Sequence, residues 1–457
     1  MQVALLATQL GYTVVTSRMF GPAEFGAYAA ASATVALGTL LTVNGFAKST
    51  ARRPDESATG DRQILGLAIA SATCLALLIT ATAPLLAGIW NNGAATLLIR
   101  VMSISILAGA YAGVLSGIVR RIGRMRTLTV ASLTAGLLGI AAGTLLVVLL
   151  KQPWTLAVLP VSTPLFLGVL LAVRLPGRRV PAIPRAAVLP DLRFAINSSG
   201  TSLTNYATYT VPLWVMNRVS GSDVLGAWNR AVAFTQVPVE SAVRAWSTAA
   251  FPHFRRTDGA LGPQAAWTEL LAGGLWLVVP VALGLSPALH AGLVILLGEQ
   301  WLMAAQMAVW VWLAAAVTAI TTLLVTASEA AGVFKILWWG QASSLIVMFV
   351  ATVGLVLTAD WRWLAAGVLA AACLSLLSTV RSAQRQRLVR GSTVTRWLGV
   401  SLLAGVAVGS LPFLLAATGS ANWVVIAASG TCVGAFLLVT YAIRTRLPVF
   451  KHLDRRR

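Results

Sequence analysis

Long apolar stretches separated by short polar connections run through the whole chain. A transmembrane helix needs about 20 mostly apolar residues to cross about 30 Å of hydrocarbon. Fourteen stretches meet that requirement, at approximately 2–18, 26–46, 64–90, 96–119, 127–150, 156–173, 194–216, 226–247, 270–290, 303–326, 336–358, 363–380, 397–418 and 423–443. The connections leave no room for a soluble domain on either side. The pattern predicts an all-α integral membrane protein.

Composition supports this interpretation, because 58% of the residues are hydrophobic and only 10% are charged. The net charge of +21 is dispersed over the connections, which argues against nucleic-acid binding. If the N-terminus is cytoplasmic, all but six of the 34 basic residues fall on the cytoplasmic side. Since basic residues are retained in the cytoplasm, we expect both termini there. The six exceptions are Arg18, Arg100, Lys151, Arg218, Arg230 and Arg362.

One loop sequence occurs twice, as GPAEFGAY at 21–28 and GSDVLGAW at 221–228. A second echo in the same order, LLAGIWNN at 85–92 with ILLGEQW at 295–301, strengthens the case, and a third, weaker one matches Gly123/Arg126 with Gly332/Lys335. Six predicted helices separate the copies, so both copies share one orientation. The alternative is coincidence among glycine- and alanine-rich segments.

The duplication predicts two six-helix lobes related by a pseudo-two-fold axis along the membrane normal, with a cavity between them. Two C-terminal helices stand outside the repeat. The expected division is an N-lobe at 1–173, a C-lobe at 194–391, the extra helices at 397–443 and a basic cytoplasmic tail at 444–457.

Several of these segments resemble the Wzx-like polysaccharide or O-antigen flippases of the multidrug/oligosaccharidyl-lipid/polysaccharide exporter superfamily. The similar stretches are RMFGPAEFGAYAAASATVAL, NGFAKSTARR, GSDVLGAWNRAVAFTQVP with its continuation AAFPHFRR, and LLGEQWLMAAQMAVWVWLAA. Trp228 departs from the family's usual Tyr, and the abbreviated first segment leads us to expect that the natural start lies upstream. The resemblance implies a fold like that of the multidrug and toxin extrusion (MATE) transporters.

Ionisable side chains inside a bilayer are costly, so they are candidate functional residues. Arg230, Glu240 and Arg244 fall within an arc of about 80° on the eighth predicted helix. The spacing from Glu240 to Arg244 favours an ion pair. The charged face could bind substrate, or the two arginines could extend to the membrane interfaces with Glu240 neutralising them.

The seventh predicted helix carries a polar stripe about 100° wide. Its members are Asn197, Thr201, Thr204, Asn205 and Thr208. The stripe could line a hydrophilic passage or bond one helix to another. Arg18 and Arg100, near the predicted outer ends of two further helices, could add positive charge for phosphate or anchor those helices at the interface.

The sequence contains neither a nucleotide-binding motif nor a metal-binding motif. No lysine follows a glycine as a Walker A loop requires, and the Cys, His and carboxylate residues show no metal-ligand spacing, so we expect neither cofactor nor metal. The short outer loops leave little room for an enzyme active site. Before residue 191 the sequence places every acid in a loop: Glu24, Asp55, Glu56 and Asp61. That placement argues against cation coupling through the first lobe.

The resemblance implies a non-enzymatic flippase in the cytoplasmic membrane that translocates a polyprenyl-pyrophosphate-linked oligosaccharide for surface polysaccharide synthesis. The expected partners are that substrate, membrane lipids and, as a possibility, a polysaccharide polymerase and glycosyltransferases. A cation-coupled multidrug exporter and a lipid II flippase of the same superfamily remain alternatives. A scaffold for a glycan-assembly complex is the alternative from another class.

Overall fold

The computed structural model describes residues 2–53, 57–184, 189–255, 262–330 and 335–443, and these ranges are almost entirely helical. Along the chain the helices are α1 (Gln2–Met19), α2 (Pro22–Thr39), α3 (Gly45–Arg52), α4 (Ala58–Ile89), α5 (Ala95–Arg121), α6 (Met125–Leu150), α7 (Val158–Arg174), α8 (Leu189–Ser220), α9 (Ser222–Arg255), α10 (Gly262–Leu297), α11 (Leu302–Ala330), α12 (Lys335–Thr358), α13 (Arg362–Arg385), α14 (Gly391–Ala417) and α15 (Asn422–Ala442). A π-helical segment, Leu40–Asn44, joins α2 to α3.

Each predicted span lies along a helix, and the second runs through α2, the π-helical segment and α3. Within the described ranges, ten helices are long and apolar enough to cross a membrane, namely α4 to α7 and α10 to α15. The other predicted spans, α1, α2 with α3, α8 and α9, are outside this set. Polar stripes make α8 and α9 less apolar than their neighbours. A total of fourteen crossings therefore stays a prediction, while a multi-pass membrane protein is established.

The chain divides into two compact units, Met1–Gly226 and Ala227–Arg457. In the first unit α5 packs against α2, α3, α4 and α7. Three glycines four residues apart allow close approach to the π-helical segment and α3, because a Cβ on Gly117 would lie 2.7 Å from the carbonyl oxygen of Ala47. The other two are Gly109 and Gly113, which face Val43. The helices can therefore approach each other closely at this crossing, because glycine has no side chain to hold them apart.

In the second unit α10 is the central helix and packs against α11, α14 and α15, while α13 packs against α11 and α12. A buried cluster around Trp267, Leu271 and Ile320 fills the space between α10, α11, the end of α13 and the start of α14. Trp276 donates from Nε1 to Thr440 Oγ1 at 3.2 Å, which fixes α15 to α10. The two helices predicted outside the repeat thus belong to this unit's core.

The helix α8 packs against α2, α3 and α4, and it belongs to the first compact unit. The sequence assigns the same segment to the C-lobe, as the first helix of the second repeat. The lobe division therefore stays a prediction drawn from the repeat. The basic tail at 444–457 lies outside the described residues.

Candidate functional site

The two copies of the repeated loop meet each other within the first unit. A Cβ placed on Gly226 would overlap the carbonyl oxygen of Pro22, and one placed on Gly26 would overlap the carbonyl oxygen of Ser222. Only glycine permits this approach of backbone to backbone. The recurrence of glycine at both positions is explained by this reciprocal contact.

A tight turn that requires glycine occurs in only one of the two loops. Gly221 has a φ of 95°, in the region that favours glycine, so the second loop depends on it for its turn. Gly21 has an extended backbone with φ −87°, and its N–H donates to Glu24 Oε2 at 3.0 Å. The first loop is therefore built as a helix N-terminus capped by an acid.

A tryptophan joins the two loops to the neighbouring helices. Trp90, at the end of α4, donates from Nε1 to Thr34 Oγ1 at 2.9 Å, and its carbonyl oxygen accepts a hydrogen bond from Asn217 Nδ2. Its ring packs edge-on against Trp214 with centroids 5.5 Å apart. Asn92 donates to Ser222 Oγ at 2.7 Å. This end of α8, predicted to face outward, is thus held against α2 and α4.

Sequence reasoning assigned no role to Asn217. It is 2% exposed and sits beyond the predicted polar stripe. The repeat LLAGIWNN did include its partner Trp90, and also Asn92, which bonds Ser222, although it gave no reason for these contacts. The signal that could have identified the contact is a polar amide near the end of a helix, next to a loop sequence that occurs twice in the chain.

The polar stripe of α8 does not face one environment. Asn205 and Thr204 are exposed, whereas Thr208 is buried and donates to the carbonyl oxygen of Thr204 at 2.9 Å. The side chains of Asn197 and Thr201 lie outside the described residues. Among the predicted site residues on α8, Asn205 is therefore the one whose described side chain is exposed.

On α9 the two described candidates have different surroundings. Arg230 is 6% exposed and donates from Nη2 to Asn229 Oδ1 at 2.7 Å. Glu240 is exposed and accepts from Gln236 Nε2 at 2.7 Å. The side chain of Arg244 lies outside the described residues, so the predicted pair with Glu240 stays a prediction. A buried guanidinium at Arg230 is the feature that distinguishes this helix.

Arg18 and Arg100 are both exposed in the first unit. Arg18 lies in the last turn of α1 and Arg100 in the second turn of α5. Exposure fits either of the predicted roles, substrate contact or interfacial anchoring.

An acid that the sequence placed in a loop is instead buried in a helix. Asp61 lies in the first turn of α4 with no exposed surface, and both its oxygens accept from Arg121 Nη2, at 2.8 and 2.7 Å. Arg178 Nη1 lies 3.0 Å from the same carboxylate. Glu24 likewise lies in α2, and Asp55 and Glu56 lie outside the described residues. The expectation that these acids are in loops was wrong for Asp61 and Glu24, because each begins a helix, where a carboxylate is favourable.

The charge cluster fastens the segment after α7 to the start of α4. Ala182 donates from its backbone N–H to the carbonyl oxygen of Arg62 at 2.8 Å, and Arg62 Nε donates to the carbonyl oxygen of Val180 at 3.1 Å. Gly66 leaves room for this crossing, since a Cβ there would overlap the carbonyl oxygen of Ala182. Two arginines satisfy Asp61, so this buried carboxylate is poorly suited to bind a coupling cation.

The second unit contains a cavity of about 270 Å³ between α9, α10 and α11. Its walls are almost entirely apolar and include Val239, Val281, Trp312 and Leu323. The Nε1 of Trp312 donates to the carbonyl oxygen of Ala282, another residue of the wall, at 2.9 Å, so this polar atom already has a partner. This cavity differs from the wet, positively charged passage expected from the sequence, and none of the described side chains in its wall is a candidate site residue.

The described helices form a multi-pass, all-helical membrane fold, and solved structures share it. The lipid II flippase MurJ in an inward-closed conformation has a TM-score of 0.76 at 13% identity, covering 96% of this chain and 98% of that one. An inward-facing MATE family multidrug resistance transporter of the MOP superfamily has a TM-score of 0.58 at 16% identity, covering 83% and 94%. The MATE-like fold class is confirmed.

The chain belongs to the polysaccharide biosynthesis protein family, whose sequence profile matches residues 15–306. It is also similar to the succinoglycan biosynthesis transport protein ExoT of Rhizobium meliloti (strain 1021), with 28% identity over 300 residues. That match covers 63% of this chain and 58% of the relative, less than two thirds of the relative's length. The resemblance to polysaccharide flippases is thereby confirmed.

Proposed function

We propose that the protein is a flippase that moves a polyprenyl-pyrophosphate-linked oligosaccharide across the cytoplasmic membrane for surface polysaccharide synthesis. The family membership carries this proposal, and the ExoT relative supports it because its name describes transport of a polysaccharide product. The MATE-like fold supports translocation rather than a chemical reaction. We therefore expect no catalysis by the chain itself.

The substrate has two parts with different requirements. A glycan needs hydrogen-bond donors and acceptors, and a pyrophosphate needs cations, best met by guanidinium groups. Asn205 on α8 and the buried Arg230 on α9 are the described residues that best supply these groups. Arg244 on α9, and Asn197 and Thr201 on α8, are the further residues that the sequence predicts to take part. The polyprenyl tail stays in lipid.

Transport by such a fold proceeds by alternate opening toward the two sides. The close approach of Gly26 and Gly226 and the Asn217–Trp90 contact support a closed state at the predicted outer end. Loops 18–25 and 217–225 then act as outer-gate elements. Both termini are cytoplasmic in this proposal, and a polymerase and glycosyltransferases act before and after translocation.

The decisive experiment reconstitutes the purified protein in vesicles that contain a fluorescent lipid-linked oligosaccharide in the inner leaflet. We expect the label to become accessible to an external quencher or lectin at a rate at least tenfold above protein-free vesicles. A label that stays inside at the protein-free rate contradicts the proposal. If cells lacking the protein lose surface polysaccharide while the vesicles show no translocation, a scaffold role replaces it.

Lipid II is the second candidate substrate, because MurJ shares the fold over nearly the whole chain. The same vesicles loaded with lipid II test it. Faster translocation of lipid II than of the oligosaccharide lipid would favour this alternative. A multidrug exporter is less well supported, since Asp61 is bound to Arg121 and Arg178.

A further inference from the structure

Asp191, in the first turn of α8, contacts two residues at the end of α3. Its Oδ1 accepts from Ser49 Oγ at 2.6 Å, and its Oδ2 lies 3.8 Å from Arg53 Nε. Ser49 is buried, whereas Asp191 and Arg53 keep 13% and 18% of their side chains exposed. The proposed passage does not use any of these three residues.

The contact lies at the end of α8 opposite Asn217. Between the two ends, Tyr206 donates from its hydroxyl to the carbonyl oxygen of Ala33 at 2.8 Å. The helix α8 is thus bonded at both ends and in its middle to α2, α3 or α4. A passage that ran along this edge of α8 would be closed by these contacts at the Asp191 end as well as at the Asn217 end.

The two charge clusters at this end of the unit differ in how easily they can open. Asp61 is fully buried and engages two arginines, so separating them would leave an uncompensated charge in a dry site. Asp191 and Arg53 are partly exposed, and water can solvate both when they separate. The Asp61 cluster is therefore a permanent fastening, and the Asp191 contact is a reversible one.

The backbone before α3 supplies a joint. Leu40–Asn44 forms a π-helical segment that contacts α8 and connects α2 to α3. Since a π-helical turn holds one residue more than an α-helical turn, its conversion to α-helix would turn α3 by about 100°. Such a turn would carry Ser49 and Arg53 away from Asp191.

We infer that Asp191 is a gate residue whose contact with Ser49 and Arg53 closes the passage beside α8 at the predicted cytoplasmic end and opens once in each transport cycle. This inference rests on the proposed flippase function. It adds a specific closing contact at the side of entry, where the polar stripe of α8 would first meet the glycan.

The test locks the contact with a disulfide. In a parent whose three cysteines, Cys74, Cys373 and Cys432, are replaced by alanine, Ser49→Cys and Asp191→Cys are introduced together. Oxidation should form the disulfide and lower translocation of the lipid-linked oligosaccharide in vesicles at least tenfold. Reduction should restore it.

The matched control is Thr80→Cys with Ser103→Cys, whose hydroxyl oxygens are 2.7 Å apart between α4 and α5 of the same unit. This pair does not involve α8, so its disulfide should leave translocation within twofold of the reduced protein. Full translocation by the oxidised Ser49/Asp191 pair would overturn the inference. So would failure of that pair to form a disulfide under conditions that oxidise the control.

A second measurement covers the case in which the double-cysteine protein is already inactive when reduced. The rate at which a maleimide alkylates Ser49→Cys in the cysteine-free parent is compared with the rate after Asp191→Asn is added. Opening of the gate predicts a rise of at least threefold, and equal rates contradict it. If the parent translocates no substrate, the proposed function fails, while the disulfide and alkylation yields still report whether the contact opens.

Discussion

Gly226 lies against Pro22 so closely that a methyl group on its Cα would overlap the carbonyl oxygen of Pro22. Gly26 lies against Ser222 in the same way, so each copy of the repeated loop contacts the other through its glycine. The loops are 200 residues apart in sequence, and each joins two consecutive helices, α1 to α2 and α8 to α9. The glycines that recur in the duplicated loop therefore allow the two copies to pack against each other.

Gly226→Ala should destabilise the protein by about 1–3 kcal/mol, because the added carbon forces two backbones apart in a packed contact. Thermal unfolding of the purified protein in detergent measures this. Gly88→Ala is the matched control, since nothing lies within 4 Å of its Cβ position and its helix favours alanine. Equal stability of the two variants would contradict the close approach.

Trp90→Phe should cost about 1–3 kcal/mol, since it removes the Nε1 donor and leaves Thr34 Oγ1 without that partner in a buried site. Trp423→Phe serves as the control, because that ring is 69% exposed in the second unit. Thermal unfolding in detergent again provides the comparison. A Trp90→Phe protein as stable as the Trp423→Phe protein would show that the hydrogen bond contributes nothing.

Asp61→Asn should destabilise the first unit by about 3–5 kcal/mol, because Arg121 and Arg178 lose the charge that compensates them. The expected result is poor recovery of folded protein from membranes, measured by size-exclusion chromatography with fluorescence detection. Adding Arg178→Gln should recover part of the loss by removing one uncompensated cation. Glu299→Gln, at an exposed acid, should have no effect. No recovery in the double variant would contradict the cluster's role.

The helices could be predicted from hydropathy alone because lipid requires long apolar segments with satisfied backbones. All the predicted spans lie along helices for this reason. The π-helical segment at Leu40–Asn44 was not predicted, because its residues, LLTVN, include no glycine or proline that would mark a change from the α-helix before it. Local composition does not distinguish the two helical forms.

The contacts of the site join residues that are far apart in sequence, and most of these contacts could not be predicted from the sequence. Asp61 with Arg121 and Asp191 with Ser49 are separated by 60 and 142 positions. Charge and helix periodicity identify each residue but not its partner. The wheel of α8 predicts one polar face, but in the structure Thr208 bonds its own helix while Asn205 is exposed. Helix periodicity predicts which side chains share a face of a helix, but the packing of the other helices decides what that face contacts.

Replacing Arg230 and Arg244 together with alanine should lower polysaccharide export at least tenfold while the protein still reaches the membrane. Each guanidinium contributes about 1.5–3 kcal/mol in hydrogen bonds to a charged group, and about 1.4 kcal/mol corresponds to a tenfold change. Surface polysaccharide in a complemented deletion strain measures export, and an epitope tag measures the membrane level.

Arg362→Gln is the matched control, because Arg362 is exposed at the start of α13 and is one of the six basic residues off the predicted cytoplasmic side. It should export normally. A lysine at 230 should restore part of the loss if charge is what matters, and less than arginine does because an ammonium lacks the paired geometry that phosphate prefers. Normal export by the double alanine variant would remove both arginines from the proposed passage, leaving the polar stripe of α8 as its candidate lining.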